Sequence, residues 1–330
     1  MRLESARDLK QELTHRVEKQ FKLRPDVFNK AKLTAFAQER FDKTPPVAVG
    51  IAHHKGEHKI AIRVQQAHPE VDKLISHFTA VTKGEVDVKI VGQIRAQAKL
   101  VQQKRHRPLR IGDSVGLKDM DMGAGTIACF VASTDLKDKT TYILSNNHVL
   151  AKENEARRGA PIMQPGPADG GDEAKDAVAT LTRFVKINDD GNRVDAAIAA
   201  VDDSIRINRS ALDSLGKLAG AREGRIEKAE KVFKIGRTTG LTEGRVTAFE
   251  IDGLKVMYPY PLIEATFDDQ MEIGPQNAKT PFSRGGDSGS LVVDAKNRAV
   301  GLLFAGNDTT ATYINHIHSI VEELDIRFLS

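Results

Sequence analysis

A single cysteine, no tryptophan and no long apolar run mark this 330-residue chain by what it lacks. With Cys129 alone, no intrachain disulfide can form, which excludes the small stapled scaffolds of secreted proteins. A membrane helix needs about 20 apolar residues, and one of the longest apolar runs here, from Ala299 to Gly306, is far shorter. The opening MRLESARDLKQEL is charged from its second residue and has no signal-peptide core, so the expected location is the cytoplasm, with no membrane partner. Charge of one sign is also scarce. Lys and Arg number 49 against 45 Asp and Glu, scattered along the chain, and the net charge is only +4. So small an excess does not point to a nucleic-acid partner, even with a pI of 9.0. What is present is ordinary for a globular chain of two or three domains: 40% hydrophobic residues and 26 glycines.

The first part reads as α/β. Leu3, Ala6, Leu9, Leu13, Val17 and Phe21 recur at helical steps, and a second helix is expected from Val27 to Phe41, before Pro45-Pro46. The period then falls to two. VAVGIAH (47–53), the turn HKGEH and KIAIRV (59–64) predict a hairpin, followed by a helix over 69–82 and a strand over 85–91. The basic stretch KRHRPLR (104–110) reads as a solvated linker. Beyond it come short β-rich segments such as GTIACFVAS, TTYILSN, RVDAAIAAV and KVFKIG, set off by Gly, Asp, Asn and Pro. That texture predicts an all-β sandwich or barrel of about 200 residues. Ile314, Ile317, Val321 and Leu324 predict a closing helix.

Three segments carry the chemistry. YILSNNHVLA presents His148 after a strand, NRVDAAIAAV presents Asp195 before one, and FSRGGDSGSLVV holds Ser288 in a glycine-rich loop. The first two are modest signals alone, since such residues more often serve structure. GDSG is more specific. Acyl transfer needs a hydroxyl held forward and backbone N–H groups converging where negative charge develops, and Gly285, Gly286 and Gly289 leave room for both.

The order His148, Asp195, Ser288, with NNHV and GDSGS, resembles the chymotrypsin-like (trypsin-like) serine peptidases. NNHVLA, the lack of disulfides, TTGLTEGRV and FSRGGDSGS are most similar to their bacterial cytoplasmic and HtrA-type branches. Subtilisin-type and α/β-hydrolase enzymes place the three residues in other orders, and position 290 is not the glycine of a G-x-S-x-G elbow. The resemblance implies two six-stranded-type β-barrels with a C-terminal helix, the first over 106–205 and the second over 206–330. A small α/β domain with its linker precedes them over 1–105. Too little chain follows Ser288 for a PDZ domain.

The resemblance implies a serine endopeptidase without metal or cofactor, acting on protein or peptide substrates. Ser288 would be the nucleophile, His148 the general base and Asp195 its orienter, with the N–H groups of Gly286 and Ser288 as the oxyanion hole. Asp287 would hold the oxyanion loop open through a cationic or hydrogen-bonding partner that the sequence leaves undecided. Phe282, Ser283 and the Phe304-Ala305-Gly306 strand would form the primary pocket, where the absence of an acidic floor implies a non-basic residue before the cleaved bond. The strand from Leu303 to Gly306 would pair with substrate backbone. A protein regulator acting through the N-terminal domain is the expected further partner. Two alternatives stand beside this reading: a silent scaffold that keeps the barrels, and a dedicated self-processing or maturation protease.

Other features take plainer readings. HHKGEH (53–58) is expected as an exposed turn rather than a metal site. Gly236, Gly240 and Gly244 predict a tight hairpin, Cys129 a core residue, and 152–175 a surface loop beside the substrate cleft. His316 and His318 are expected as packing or surface residues of the closing helix.

Overall fold

The computed structural model describes residues 1–21, 47–54, 56–91, 95–96, 104–118, 123–259, 262–277, 280–307 and 309–329. The expected helix from Val27 to Phe41 lies outside the described residues. Helix α1 (Leu3–Phe21) buries Ala6, Leu13 and Val17 from its predicted stripe. The predicted hairpin is β1 (Val47–His54) with β2 (Glu57–Val64), in register from Val47 opposite Val64 to His54 opposite Glu57. Helix α2 (Pro69–Val81) follows, and β3 (Val86–Ile90) returns parallel to β2, as a strand–helix–strand crossover requires. β4 is the two-residue strand Arg95–Ala96.

Strands β5 (Ser114–Leu117), β6 (Gly125–Thr126), β7 (Cys129–Ser133) and β8 (Thr141–Ser145) lead into the short helix α3 (Asn147–Leu150). β9 (Pro161–Met163), the short helix α4 (Glu173–Asp176), β10 (Ala177–Phe184) and β11 (Ala197–Val201) complete this half. A small hairpin, β12 (Ala211–Leu212) with β13 (Gly216–Lys217), connects to the other half. There β14 (Lys231–Gly236), β15 (Gly240–Asp252), β16 (Leu254–Pro259), β17 (Leu262–Phe267) and β18 (Gln270–Pro275) follow in order. β19 (Leu291–Asp294), β20 (Ala299–Gly306), β21 (Thr312–His316), helix α5 (Ile317–Leu324) and β22 (Ile326–Phe328) end the chain.

The fold is mainly β, with the expected C-terminal helix. The second half closes into a barrel of six strands: β14 pairs β15, β15 pairs β18, β18 pairs β21, β21 pairs β20, β20 pairs β19, and β19 pairs β14. The first half is an open half-barrel in the order β22-β7-β8-β11-β10-β9-β5-β6, its edge extended by the C-terminal strand. Of the two expected barrels, the second closes and the first is a half-barrel that takes β22 onto its edge.

The N-terminal hairpin is built into the same sheet. β1 pairs antiparallel with the long strand β15, so β1, β2 and β3 extend the second-half sheet. Behind it Arg63 is 1% exposed and donates to Glu272 of β18 at 2.7 Å and to Asp87 of β3 at 2.8 Å. The Tyr313 hydroxyl donates to the same Glu272 oxygen at 3.0 Å.

KRHRPLR is a docked segment, not a solvated linker. Arg105 reaches Asp176 at 2.8 Å, His106 Nδ1 meets Asp113 at 2.8 Å, Arg107 donates to Gln164 Oε1 at 2.6 Å, and Leu109 is fully buried. His316 ends β21 rather than lying in the helix, and is buried; the His318 ring bonds to the Arg222 carbonyl. Among the described residues, no helix is long and apolar enough to cross a membrane.

Candidate active site

Strand pairing brings the first two predicted residues together. β8 and β11 are antiparallel neighbours with Ser145 opposite Ala197. The turn after β8 and the residue two before β11 therefore meet at one end of the sheet. His148 Nδ1 lies 2.5 Å from Asp195 Oδ2, and the His148 backbone N–H donates to the other carboxylate oxygen at 3.2 Å. Asp195 is wholly buried, so its charge must be met by donors. Tyr258 of β16 supplies one, its hydroxyl 2.9 Å from Oδ2. The Asp195 backbone is held from both halves: Asn146 Nδ2 donates to its carbonyl at 2.7 Å, and its N–H donates to Asn315 Oδ1 at 3.0 Å. His148 Nε2 is buried and has no hydrogen-bond partner among the described residues.

The Ser288 loop meets the first half at Thr126 and Gly125. The Thr126 N–H donates to the Ser288 carbonyl at 2.8 Å, and its hydroxyl to the Gly286 carbonyl at 3.0 Å. A side chain at Gly125 would stand 2.4 Å from Val149, the neighbour of His148, and 2.8 Å from the Ser288 carbonyl. His148 and Ser288 thus sit on two chain segments that touch across one glycine. Gly286 and Gly289 have φ of +91° and +88°, a region that favours glycine. A methyl group at Gly289 would also lie 2.4 Å from the Thr126 carbonyl.

Asp287 has internal partners. Its Oδ1 accepts the N–H groups of Thr238 and Thr239 at 2.9 and 3.1 Å. Oδ2 accepts the Thr239 hydroxyl at 2.6 Å and the Arg284 N–H at 3.0 Å, and Lys234 Nζ stands 3.4 Å away. Both ionic side chains are fully buried. Burial pulls the Lys234 ammonium below its usual range, opposed by the Asp287 charge. The expected hairpin of Gly236 and Gly240 delivers these donors, with the two glycines paired at its mouth. Gly236 must be small, since a methyl there would meet Asp287 Oδ1 at 2.3 Å.

One residue further, Arg237 forms a buried bidentate pair with Asp169 at 2.6 and 2.7 Å. Asp169 belongs to the 152–175 segment, read from the sequence as a surface loop, and Ser114 Oγ donates to it as well. The guanidinium lies directly under Gly286, where a side chain would come within 1.9 Å of it.

Of the predicted pocket residues, Ser283 reaches Thr312, which lies opposite Gly306 in the sheet, while the two phenylalanines pack into cores. Phe282 packs into the second-barrel core, with Lys234 Nζ 5.8 Å from its ring centre. Ser283 pairs its hydroxyl with Thr312 at 2.6 Å. Phe304 packs on Phe267 at a ring separation of 4.8 Å, and Ala305 and Gly306 are buried in β20. Among the described residues no cluster of His, Cys, Asp or Glu could hold a metal. At the 53–58 turn the His53 and His58 rings pack edge to face, and His58 bonds to the Glu227 carbonyl. Cys129 is a buried core residue whose thiol burial pushes up.

Sequence reasoning missed Tyr258, Lys234, Arg237 with Asp169, and Glu153. Glu153 follows His148 in a turn where Lys152, Glu153 and Asn154 all have positive φ, of 48°, 49° and 78°. Asn154 fixes that turn by exchanging hydrogen bonds with Asn147. Glu153 is buried, and its carboxyl is pushed up to about 9, first by burial and then by the Asp195 charge.

A closed second barrel, an open first one and a GDSG loop at their junction are the architecture of the chymotrypsin-like serine protease fold. The model of the trypsin-like peptidase domain matches residues 127–302, more than half of the chain, and the chain belongs to that family. Among solved structures it is similar to Thermobifida fusca protease A, at 13% identity over 68% of this chain and 100% of that one, with a TM-score of 0.46. It is similar also to Nocardiopsis protease, at 15% identity over 68% and 100% with a TM-score of 0.47. Cellulomonas bogoriensis chymotrypsin is similar at 16% identity over 68% and 99%, with a TM-score of 0.45. No curated protein matches the chain.

Proposed function

We propose that this protein is a serine endopeptidase working through Ser288, His148 and Asp195. The Ser288 hydroxyl oxygen attacks a peptide carbonyl while His148 Nε2 takes its proton. The resulting tetrahedral oxyanion is met by the N–H groups of Gly286 and Ser288. Collapse expels the amine, which takes the proton back from His148, and leaves an acyl-enzyme that water hydrolyses by the same proton path. Asp195 keeps the proton of the neutral ring on Nδ1 and balances the imidazolium.

The observation that carries this reading is the state of the imidazole. Its Nδ1 is tied to a buried carboxylate at 2.5 Å, while its Nε2 is left without a partner beside the Ser288 loop. Most buried ring nitrogens are hydrogen-bonded, and His316 Nε2 is a second buried exception. What sets His148 apart is that its other nitrogen is held by a buried carboxylate and that it lies on the segment that meets the Ser288 loop. Asp287 with Lys234 and two threonine amides supports an oxyanion loop that needs no outside group. No acidic side chain stands among Phe282, Ser283, Phe304, Ala305 and Gly306, which supports a non-basic residue before the cleaved bond. Regulation through the N-terminal unit is supported by its shared sheet and the buried Arg63–Glu272 pair.

Cleavage of a peptide library by the wild type, Asp195→Asn and Ser288→Ala tests the reading. Asp195→Asn lowers kcat by about 10⁴-fold through the wrong imidazole tautomer, and Ser288→Ala abolishes acyl-enzyme turnover. Equal cleavage by all three would refute it.

A further inference from the structure

Strand β20 has one edge with three successive neighbours. Its first half pairs with β19, as Val292 opposite Gly301 and Leu291 opposite Leu302. At Leu303 that strand has ended and the nucleophile loop takes over: the Gly289 N–H donates to the Leu303 carbonyl at 2.8 Å, and the Leu303 N–H donates to the Ser290 carbonyl at 3.0 Å. Beyond Leu303 the barrel supplies no further strand on this edge among the described residues. The N-terminal part of the chain does. Arg95 lies opposite Gly306 and Ala96 opposite Ala305, antiparallel. On its other side Arg95 pairs parallel with Met257 of β16, the residue before Tyr258. Just upstream, the Asn307 side chain donates to the Val91 carbonyl.

Direction is the informative feature. Because the pairing is antiparallel, the backbone from Arg95 to Ala96 runs from Gly306 back toward Leu303, which is bonded to Gly289 and Ser290, the two residues after Ser288. An extended polypeptide laid on this edge would approach the nucleophile loop along the same line. A two-residue strand is also too short to be stable alone. It holds because two edges flank it and Val91 packs into the cluster of Phe304, Ala305 and Tyr258.

We propose that the segment through Arg95 and Ala96 is an internal occupant of the extended-peptide groove between β16 and β20, so that the intact chain blocks its own groove until that strand is displaced. This rests on the endopeptidase reading. The chemistry of the groove is backbone pairing, which recognises an extended peptide through N–H and C=O groups rather than through one side chain. A tethered occupant acts at an effective concentration of the millimolar order or above. The apparent affinity of a competing peptide is therefore its intrinsic affinity multiplied by the unoccupied fraction of the groove.

The test replaces residues 93–100 with alternating glycine and serine, leaving the N-terminal unit attached. Binding is read in the Ser288→Ala background with a fluorescent peptide of sequence VGQIRAQAKL, and turnover in the active background. The replaced chain should bind the peptide at least about tenfold tighter than the intact one. Its KM for a peptide substrate should fall by a similar factor, with kcat nearly unchanged. Asn307→Asp is the second variant. It keeps the oxygen that accepts the 309–311 amides and removes the donor to Val91, so it should shift both readings the same way by a smaller factor. Equal peptide binding and equal KM in all forms overturn the proposal while leaving the endopeptidase reading intact. Tighter binding without any turnover supports the groove assignment and removes the endopeptidase reading.

Discussion

Tyr258 Oη donates to Asp195 Oδ2 at 2.9 Å, the same oxygen that holds His148 Nδ1 at 2.5 Å. The phenol ring also packs on the imidazole, with ring centres 5.7 Å apart. Burial and the Asp195 charge raise the Tyr258 hydroxyl well above its usual range, so it stays a donor. A hydrogen bond to a buried charge contributes about 1.5–3 kcal/mol. Tyr258→Phe should therefore lower kcat by about 10- to 100-fold with little change in KM. Steady-state kinetics with a circular-dichroism check of folding reads this, and an unchanged kcat would remove Tyr258 from the site.

Lys234→Met tests whether the ion pair under the nucleophile loop sets its shape. Removing one partner of a buried pair leaves an uncompensated charge and costs about 3–5 kcal/mol. The variant should melt earlier and lose peptide cleavage. Replacing Asp287 by Asn in that background should recover part of the melting temperature. If Lys234→Met alone retains both, Thr238 and Thr239 suffice.

Arg237 and Asp169 tie the oxyanion loop to the 152–175 segment. Asp169→Asn should destabilise the protein by a few kcal/mol. Gly286→Ala should do more harm to activity than to stability, because its methyl would displace the guanidinium beneath the loop. A Gly286→Ala enzyme with wild-type kcat would contradict the placement of Gly286 over Arg237.

Glu153 gives the protein a pH dependence of definite sign. The folded chain holds the carboxyl proton up to about 9, whereas the unfolded chain releases it near about 4.3. Its contribution to stability is therefore full below the lower value and is lost as pH rises toward the upper one. The slope for one proton is at most about 1.4 kcal/mol per pH unit. Urea unfolding at pH 5.5 and pH 8.5 should show the wild type losing more stability than Glu153→Gln. Parallel profiles would mean that the carboxyl is ionised throughout.

Much of this arrangement was legible in the chain because it is local. The alternation in VAVGIAH and KIAIRV set the hairpin register, and GDSG with NNHV marked the two loops that meet at Gly125. What stayed hidden depends on contacts between distant segments. Nothing near Tyr258 announces Asp195, and Arg105 and Arg107 of KRHRPLR read as solvated because their acceptors Asp176 and Gln164 come much later in the chain. Lys234 did leave a trace: it occupies an inward position of KVFKIG, between buried Val232 and Gly236. A charge on the core face of a strand demands a buried partner, and Asp287 is that partner. Barrel closure was harder to see. Strand pairing is set by order in space, and no pattern within β22 foretells that it pairs with β7.

The most direct measurement is fluorophosphonate labelling of the intact protein, its 93–100 replacement, and the Ser288→Ala and His148→Ala variants, followed by mass spectrometry of the modified peptide. The account predicts a single adduct on Ser288, faster in the 93–100 replacement, slowed by orders of magnitude in His148→Ala and absent from Ser288→Ala. Labelling that persists in Ser288→Ala, or a protein with the groove cleared that never labels, would contradict it.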